Sequence, residues 1–385
     1  MEKLLDSYKK IIALVVYLII NSFFIIKYAV RQDYFSTLSL FVIYNILVII
    51  GIYLIYFFRD FISKVKKVDY YFLAVCILIF VVFVLINIFI DGNTLNSDRW
   101  SAMHTTINGV LNGNYPYSLK DHLGQTSSNL PGLFFIGLPF YLIGNVSLLQ
   151  PFIFLIISLL LFKSKLEMYK KAIIVFLLIA SPAYLWEIFA KSDLLSNIFI
   201  LVFFIILWDN KFKLNYFKYP FLLSFFIAFL VLTRGIVVIP LTLFLFSSFI
   251  RSTNKEKFKF SVGFLINLTL ISFPFLITLP EIEVIKEHNP FNHQTRFTPK
   301  WVQITFIILP FIFGFRIKKI HQVIFQSLLF LTLLLFLSFI LEIVDEGYKN
   351  TLYNSSFDIS YLTMILPFSI LYFITNTKKL DLNYF

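Results

Sequence analysis

Apolar runs close to twenty residues long recur along the chain between short basic connectors, and one long polar stretch, Asp91 to Leu130, interrupts them. A helix of about 20 mostly apolar residues crosses a hydrocarbon core of about 30 Å. Twelve predicted spans follow, near 11–30, 37–58, 70–90, 146–162, 172–187, 193–208, 219–232, 236–250, 259–279, 301–315, 322–343 and 361–376. The expected fold is all-α, a polytopic transmembrane helical bundle forming one integral membrane domain over 1–385. It divides into two N-terminal spans in 1–69, a core in 70–250 with outer loop 91–130, and C-terminal spans in 251–385 with outer loops 280–300 and 344–360. The first run is too long for a signal-peptide core and has no A-x-A cleavage site, so it reads as an uncleaved anchor.

Two apolar segments break the one-run, one-span rule. Residues 131–144 would make a helix of about 21 Å and contain Pro131, Gly132, Gly137, Pro139 and Gly144. They are predicted to re-enter rather than cross, which is allowed only where the backbone is buried in protein or lines a cavity. In 219–250, two short halves meet at Thr233-Arg234-Gly235. Read as a hairpin, the segment puts Arg234 at its outer tip; read as one helix, it buries the cation midway.

The polar stretch carries a helical pattern of its own. At 100° per residue, Trp100, Met103, Ile107, Val110 and Leu111 share one side, with Asp98 roughly opposite. Such a helix lies in the membrane interface, apolar side down.

Composition agrees: 59% of residues are hydrophobic and 14% charged, against about 25% charged in soluble domains. The single Cys76 leaves no intrachain disulfide and no cysteine metal site. A net charge of +12 invites a nucleic-acid reading, but its distribution opposes it. The N-terminus, 59–69, 163–171, 209–218, 251–259, 316–321 and the C-terminus hold 23 of the 33 Lys and Arg, while 13 of the 21 acids fall on the opposite side. By the positive-inside rule both termini are cytoplasmic, in what reads as a bacterial inner membrane. The basic excess is a topology signal and an affinity for membrane lipids, with no nucleic-acid partner. The chain has no Walker loop, GxGxxG, HExxH or GxSxG.

The candidate chemistry lies on the outer side. Asp98 could serve as a general base toward a hydroxyl, or Ser97 or Asp98 could cap the interfacial helix. Asp193 opens a span, where Ser192 and Asp193 also suit capping, and Lys191 beside it could attract a phosphate or snorkel. Arg234 suits phosphate oxygens or an ion pair with Glu187 or Asp193. In 280–300, Arg296 could contact a substrate phosphate; Glu281 and Glu283 are explained by capping. His288 and His293 match no strong metal motif, so no metal ligand is assigned, although a divalent metal is compatible with the acids present.

These residues bear a resemblance. A first outer loop beginning with an acid, an interfacial helix ending in Gly113-Asn-Tyr-Pro116-Tyr117, and a Pro-led apolar segment ending in Pro139-Phe-Tyr-Leu-Ile-Gly144 are similar to the GT-C membrane glycosyltransferases, closest to their mannosyltransferase-like branch. The resemblance covers roughly 70–240. It departs in two places: Asp98 has no second acid of a D-x-D, and Ser128-Asn129-Leu130 stands where a Tyr-Pro is expected before the re-entrant segment. It implies transfer of a hexose, mannose for instance, from a polyprenyl-phosphate-linked sugar donor to a glycan or lipid acceptor. Asp98 and Asp193 would be the catalytic acids, and Arg99, His104, Tyr117, Lys191, Arg234, His293 and Arg296 the substrate contacts. Two competing classes are an O-antigen-type polysaccharide polymerase or ligase and a lipid-linked glycan transporter or flippase; the latter predicts internal repeats, and none is visible.

Overall fold

A computed structural model describes residues 2–375, with side chains from Ser7 onward. The expectations for the last few residues, including the basic C-terminal connector with Lys378 and Lys379, and for the side chain of Lys3 lie outside the described residues. Among those described the regular structure is helical, joined by turns and irregular loops. The β-pairing among the described residues is an isolated antiparallel bridge between Lys120 and Thr126.

Seven helices are long and apolar enough to cross a membrane: Ser7–Ala29, Thr37–Phe57, Val68–Phe89, Val146–Lys163, Leu194–Phe212, Asn254–Leu276 and Ile320–Glu346. Two further predicted spans are bent pairs, Met168–Ile179 with Pro182–Phe189 at 60° and Ile282–Thr295 with Lys300–Gly314 at 65°. Counting each pair as one span gives nine rather than the twelve expected. The remaining three predicted spans are shorter helices, Pro220–Val231, Gly235–Arg251 and Ile359–Ile374, and so is Pro131–Leu142, the segment expected to re-enter. Pro131–Leu142 and Pro220–Val231 have 12 residues each, about 18 Å of helix at 1.5 Å per residue, which is short of a hydrocarbon core of about 30 Å. Much of the apolar surface faces outward. In Thr37–Phe57 only Val48 is buried, and Leu38, Leu47 and Phe57 stand exposed. In water such a surface would be an aggregation site; it is the surface of a polytopic helical membrane protein.

Contacts divide the chain into two compact units. The first comprises the described parts of Met1–Ile86, Pro151–Phe189 and Ile324–Phe385; the second comprises Asn87–Gln150 and Ala190–Val323. In the first unit, Leu366–Ile374 packs on Glu2–Ala29, and the Ser369 hydroxyl donates to the Ala13 carbonyl. That N-terminal helix also mends the break at Ser181-Pro182. Asn21 Oδ1 accepts from the Ser181 hydroxyl at 2.5 Å and from the Ala183 N–H at 3.1 Å. One turn earlier, the Tyr17 hydroxyl donates to the Leu177 carbonyl at 2.6 Å. Side chains four apart share a helix face, so one face supplies both a donor for the loose carbonyl before the bend and an acceptor for the loose N–H after it. Asn21→Leu is therefore expected to strand two enclosed donors at a cost of about 3 kcal/mol, readable as a fall in unfolding temperature. A loss no larger than that of a surface substitution would show that these donors find other partners.

In the second unit, Asn254–Leu276 begins with a Thr253/Glu256 capping box and packs against Pro220–Val231. Gly263 lets the two approach closely: a Cβ there would lie 2.6 Å from Ser224 Oγ. Val238–Arg251 packs instead on Lys300–Gly314. The halves of 219–250 thus find separate partners, and Arg234 between them is 3% exposed rather than at an outer tip. Pro131–Leu142 meets Arg99–Leu111 through Gly137, opposite Met103 and Ile107. At its start the Gly132 N–H donates to the Leu232 carbonyl at 2.8 Å, an approach in which a Cβ would meet backbone oxygen at 2.5 Å. The N-terminus of one short helix thereby satisfies the C-terminus of another and holds the turn that carries Arg234.

Candidate functional site

The site lies within the second unit, where the start of Arg99–Leu111 meets the turn before Leu194–Phe212. That turn is unusual. Lys191 has φ of 56°, the left-handed conformation that glycine normally takes just past a helix end. Its amine reaches the Asn87 carbonyl at 3.0 Å, and the residue is 9% exposed. Burial lowers the Lys191 pKa, with Asp91 pulling it back up. A lysine with a folded pKa below its unfolded value disfavours folding at neutral pH, and the penalty fades only as pH rises through the lowered pKa. The left-handed backbone adds about 1–2 kcal/mol. Lys191→Gly should accordingly be more stable than Lys191→Ala by about that amount. Both remove the amine, so their difference in chemical unfolding isolates the backbone; equal stabilities would mean the turn relaxes without cost.

Next to it, the Asp193 carboxylate makes no capping bond; the Leu194 N–H instead points to Ser192 Oγ, at 3.4 Å. Asp193 Oδ2 accepts from the Arg234 guanidinium at 2.6 Å, with the two side chains 5% and 4% exposed. Of the two readings of Arg234, the structure has the ion pair, and the partner is Asp193; Glu187 lies in the first unit, where its carboxylate accepts from the Thr363 hydroxyl. Asp193 Oδ1 and Arg234 Nε have no protein partner, and neither end of the Asn197 amide has one. Enclosed polar groups left in this way cost about 1–3 kcal/mol each.

A small cleft, with room for about one water molecule, opens onto this turn. Asp193, Lys191 and Arg99 supply its charges, Ser147 and Ser192 its hydroxyls, and Trp100, Met103 and Leu149 an apolar wall.

The other predicted residues fall around it. Asp98 does not line the cleft; its neighbour Arg99 does. Asp98 stands at the N-cap position of Arg99–Leu111 without a side-chain cap bond, so capping does not account for its carboxylate. Its charge acts on Asp121, whose carboxyl burial raises above the usual range against two backbone N–H groups that lower it. His104 is exposed against the Tyr141 ring, 5.0 Å between centroids, with its pKa lowered by burial. Tyr117 is a buried staple whose hydroxyl donates to the Asn129 carbonyl. His293 contacts Thr126 at 3.1 Å, and Arg296 is exposed over the Phe297 ring. The structure brings Asp193, Arg234, Lys191 and Arg99 together and leaves Asp98, His104, Tyr117, His293 and Arg296 outside the cleft.

Sequence reasoning passed over several residues. Gln294 donates to the Ser128 carbonyl and accepts from the Gly235 N–H, fastening the Arg234 turn. His122 links Ser101, at 2.6 Å, to the Leu95 carbonyl, at 3.0 Å, and so ties the polar stretch to itself. Asn197 and Ser147 were hidden among apolar neighbours; the legible signal for Asn197 was its place four residues after Asp193. Among the described residues no three His, Cys, Asp or Glu side chains gather closely enough to hold a metal ion. No family model matches the chain, and no curated protein or solved structure matches it.

Proposed function

We propose that the chain is a membrane glycosyltransferase of the GT-C kind, moving a hexose from a polyprenyl-phosphate carrier to a glycan or lipid acceptor on the non-cytoplasmic face. The observation that carries this reading is one cleft holding a carboxylate with an unclaimed oxygen beside two cations, Lys191 and Arg99. In a chain with no nucleotide-binding loop, the activated sugar has to bring its energy in a lipid-phosphate bond. The acceptor hydroxyl oxygen attacks the anomeric carbon, the bond from that carbon to the phosphate oxygen breaks, and its electron pair leaves with the lipid phosphate. The acceptor proton passes to Asp193 Oδ1. A phosphate departs as a stable anion, so cations held in place, Lys191 and Arg99, stabilise it without donating a proton. This assigns the phosphate to the cleft cations in place of Arg234 and Arg296, and gives Arg234 the task of holding Asp193. Asp98, next to Arg99 and free of capping, is the second candidate base.

The test supplies labelled polyprenyl-phosphate hexoses, mannose among them, to the purified protein reconstituted with lipid and glycan acceptors. Label should move to an acceptor as free polyprenyl phosphate appears. The two bent helix pairs, at 60° and 65°, favour a second reading, a lipid-linked glycan transporter, because transporters build their sites from discontinuous helices. Passage of the intact donor across the bilayer without bond cleavage would put that reading first. Cleavage of diphosphate-linked glycans alone would favour a polymerase or ligase.

A further inference from the structure

The cleft beside Asp193 has room for about one water molecule, and the Asp193–Arg234 pair is at most 5% exposed. A larger molecule therefore reaches that carboxylate only through a movement of the protein, and the turn that carries Arg234 shows where. Before Arg234 the turn is fixed by backbone fit: the Gly132 N–H meets the Leu232 carbonyl where a Cβ would meet backbone oxygen at 2.5 Å. After Arg234 it is tied by a side chain. The Gly235 N–H donates to Gln294 Oε1 at 3.1 Å, and Gln294 Nε2 donates to the Ser128 carbonyl at 2.8 Å.

Gln294 belongs to a segment of two short helices, Ile282–Glu287 and Pro290–Thr295. Among the described residues 282–295, Pro290 alone is buried, while Ile282 is 69% and Phe291 55% exposed. A segment with so little enclosed apolar surface opens at a small fraction of the free energy that unfolds the whole chain. Its ends, 277–281 and 296–299, are turn or irregular backbone, where a hinge motion is absorbed. His293, adjacent to Gln294, adds a hydrogen bond with the Thr126 hydroxyl at 3.1 Å. Gly235 is exposed and Ser128 half-buried, so water can replace Gln294 at both and each bond contributes little net. Differences that small sustain an open state in about 0.1–10% of molecules.

We infer that 282–295 is a strap that lifts as a unit, and that Gln294 is the positioning residue through which its docking holds Arg234 on Asp193. Docked, the strap keeps the turn in place and the pair closed. Lifted, it releases Gly235, so that the guanidinium can leave Asp193 and open the carboxylate to a donor. What enters rests on the transferase reading; the link from strap to ion pair does not.

Phenylglyoxal, which modifies an arginine whose guanidinium is free, reads this link on the full chain in lipid nanodiscs, with the Arg234 peptide followed by mass spectrometry. His293→Ala loosens the strap and leaves Gln294 in place. Arg234 should then be modified about three- to tenfold faster, the factor for one hydrogen bond. Hydrogen exchange within Leu194–Phe212 should stay as in the wild type, which separates lifting of the strap from general unfolding. The converse variant carries Thr126→Cys and His293→Cys in a Cys76→Ala background, joined by a short bis-methanethiosulfonate linker. Arg234 modification should fall at least about tenfold once the open state is removed, and recover when reductant cuts the linker. Modification of Arg234 at one rate whether the strap is joined or free would overturn the inference, as would a wild-type rate in His293→Ala. The sugar-transfer assay separates the two readings. Transfer that stops on joining and resumes on reduction supports both. A protein that transfers no label, with Arg234 opened and closed by the strap, removes the transferase reading alone.

Discussion

Arg234→Met is expected to destabilise the protein by about 3–5 kcal/mol, because it strands the carboxylate of Asp193 away from water with no counter-charge. The pair is short, at 2.6 Å, and both side chains are at most 5% exposed. Solvent cannot replace the guanidinium as it does at a surface pair, where the loss is about 0–1 kcal/mol. The double variant Asp193→Leu with Arg234→Met should recover most of that loss, since removing both charges removes the desolvation cost with the attraction. Equilibrium unfolding of the wild type, both single variants and the double variant closes the cycle. A single Arg234→Met costing under about 1 kcal/mol would mean that the pair is solvated and not enclosed.

The second large effect is on chemistry. Asp193→Asn should lower sugar transfer by about 10²–10⁴-fold, the range for removing a general base. The amide oxygen can still accept from Arg234 but leaves that enclosed guanidinium without a counter-charge, at a cost of up to about 3–5 kcal/mol, so rates are compared per folded protein; a sugar-free phosphodiester, decyl methyl phosphate, should bind that folded fraction as before, since Lys191 and Arg99 are untouched. A rate loss with binding retained is the signature of a group needed in the transition state. Asp98→Asn in the same assay decides between the two acids. Should Asp98→Asn abolish transfer while Asp193→Asn does not, the base is Asp98, and Asp193 is a positioning residue for the Arg234 turn.

Much of this architecture was legible from residue order. Apolar runs marked the long helices, and the polar stretch held its helix where the period of Trp100, Met103 and Ile107 put it. Arg234 in an apolar run could only be a ligand contact or half of an ion pair, and the geometry has the second. What escaped is what depends on distant segments. The bend at Ser181-Pro182 falls inside a run that hydropathy averages into one span, and it is tenable because Asn21, 160 positions away in the chain, supplies the missing acceptor. Which side of its helix Asp98 would serve was equally out of reach. Periodicity separated it from the apolar stripe, but the cleft's position depends on where the turn at Lys191 and Ser192 arrives. Asn197 was masked because a single amide scarcely alters the mean hydropathy of a span.

The mending of that bend by the N-terminal helix bears on how the chain is made. Residues 168–189 would enter the lateral gate of the insertion machinery with loose backbone groups that lipid cannot satisfy. Tyr17 and Asn21 are synthesised first and are already in the bilayer when the kinked segment emerges. A helix made before the kinked segment thus acts as a resident template for it, and order of synthesis becomes part of assembly. A chain without Ser7–Ala29 would present an unfinished span to the membrane's quality-control proteases.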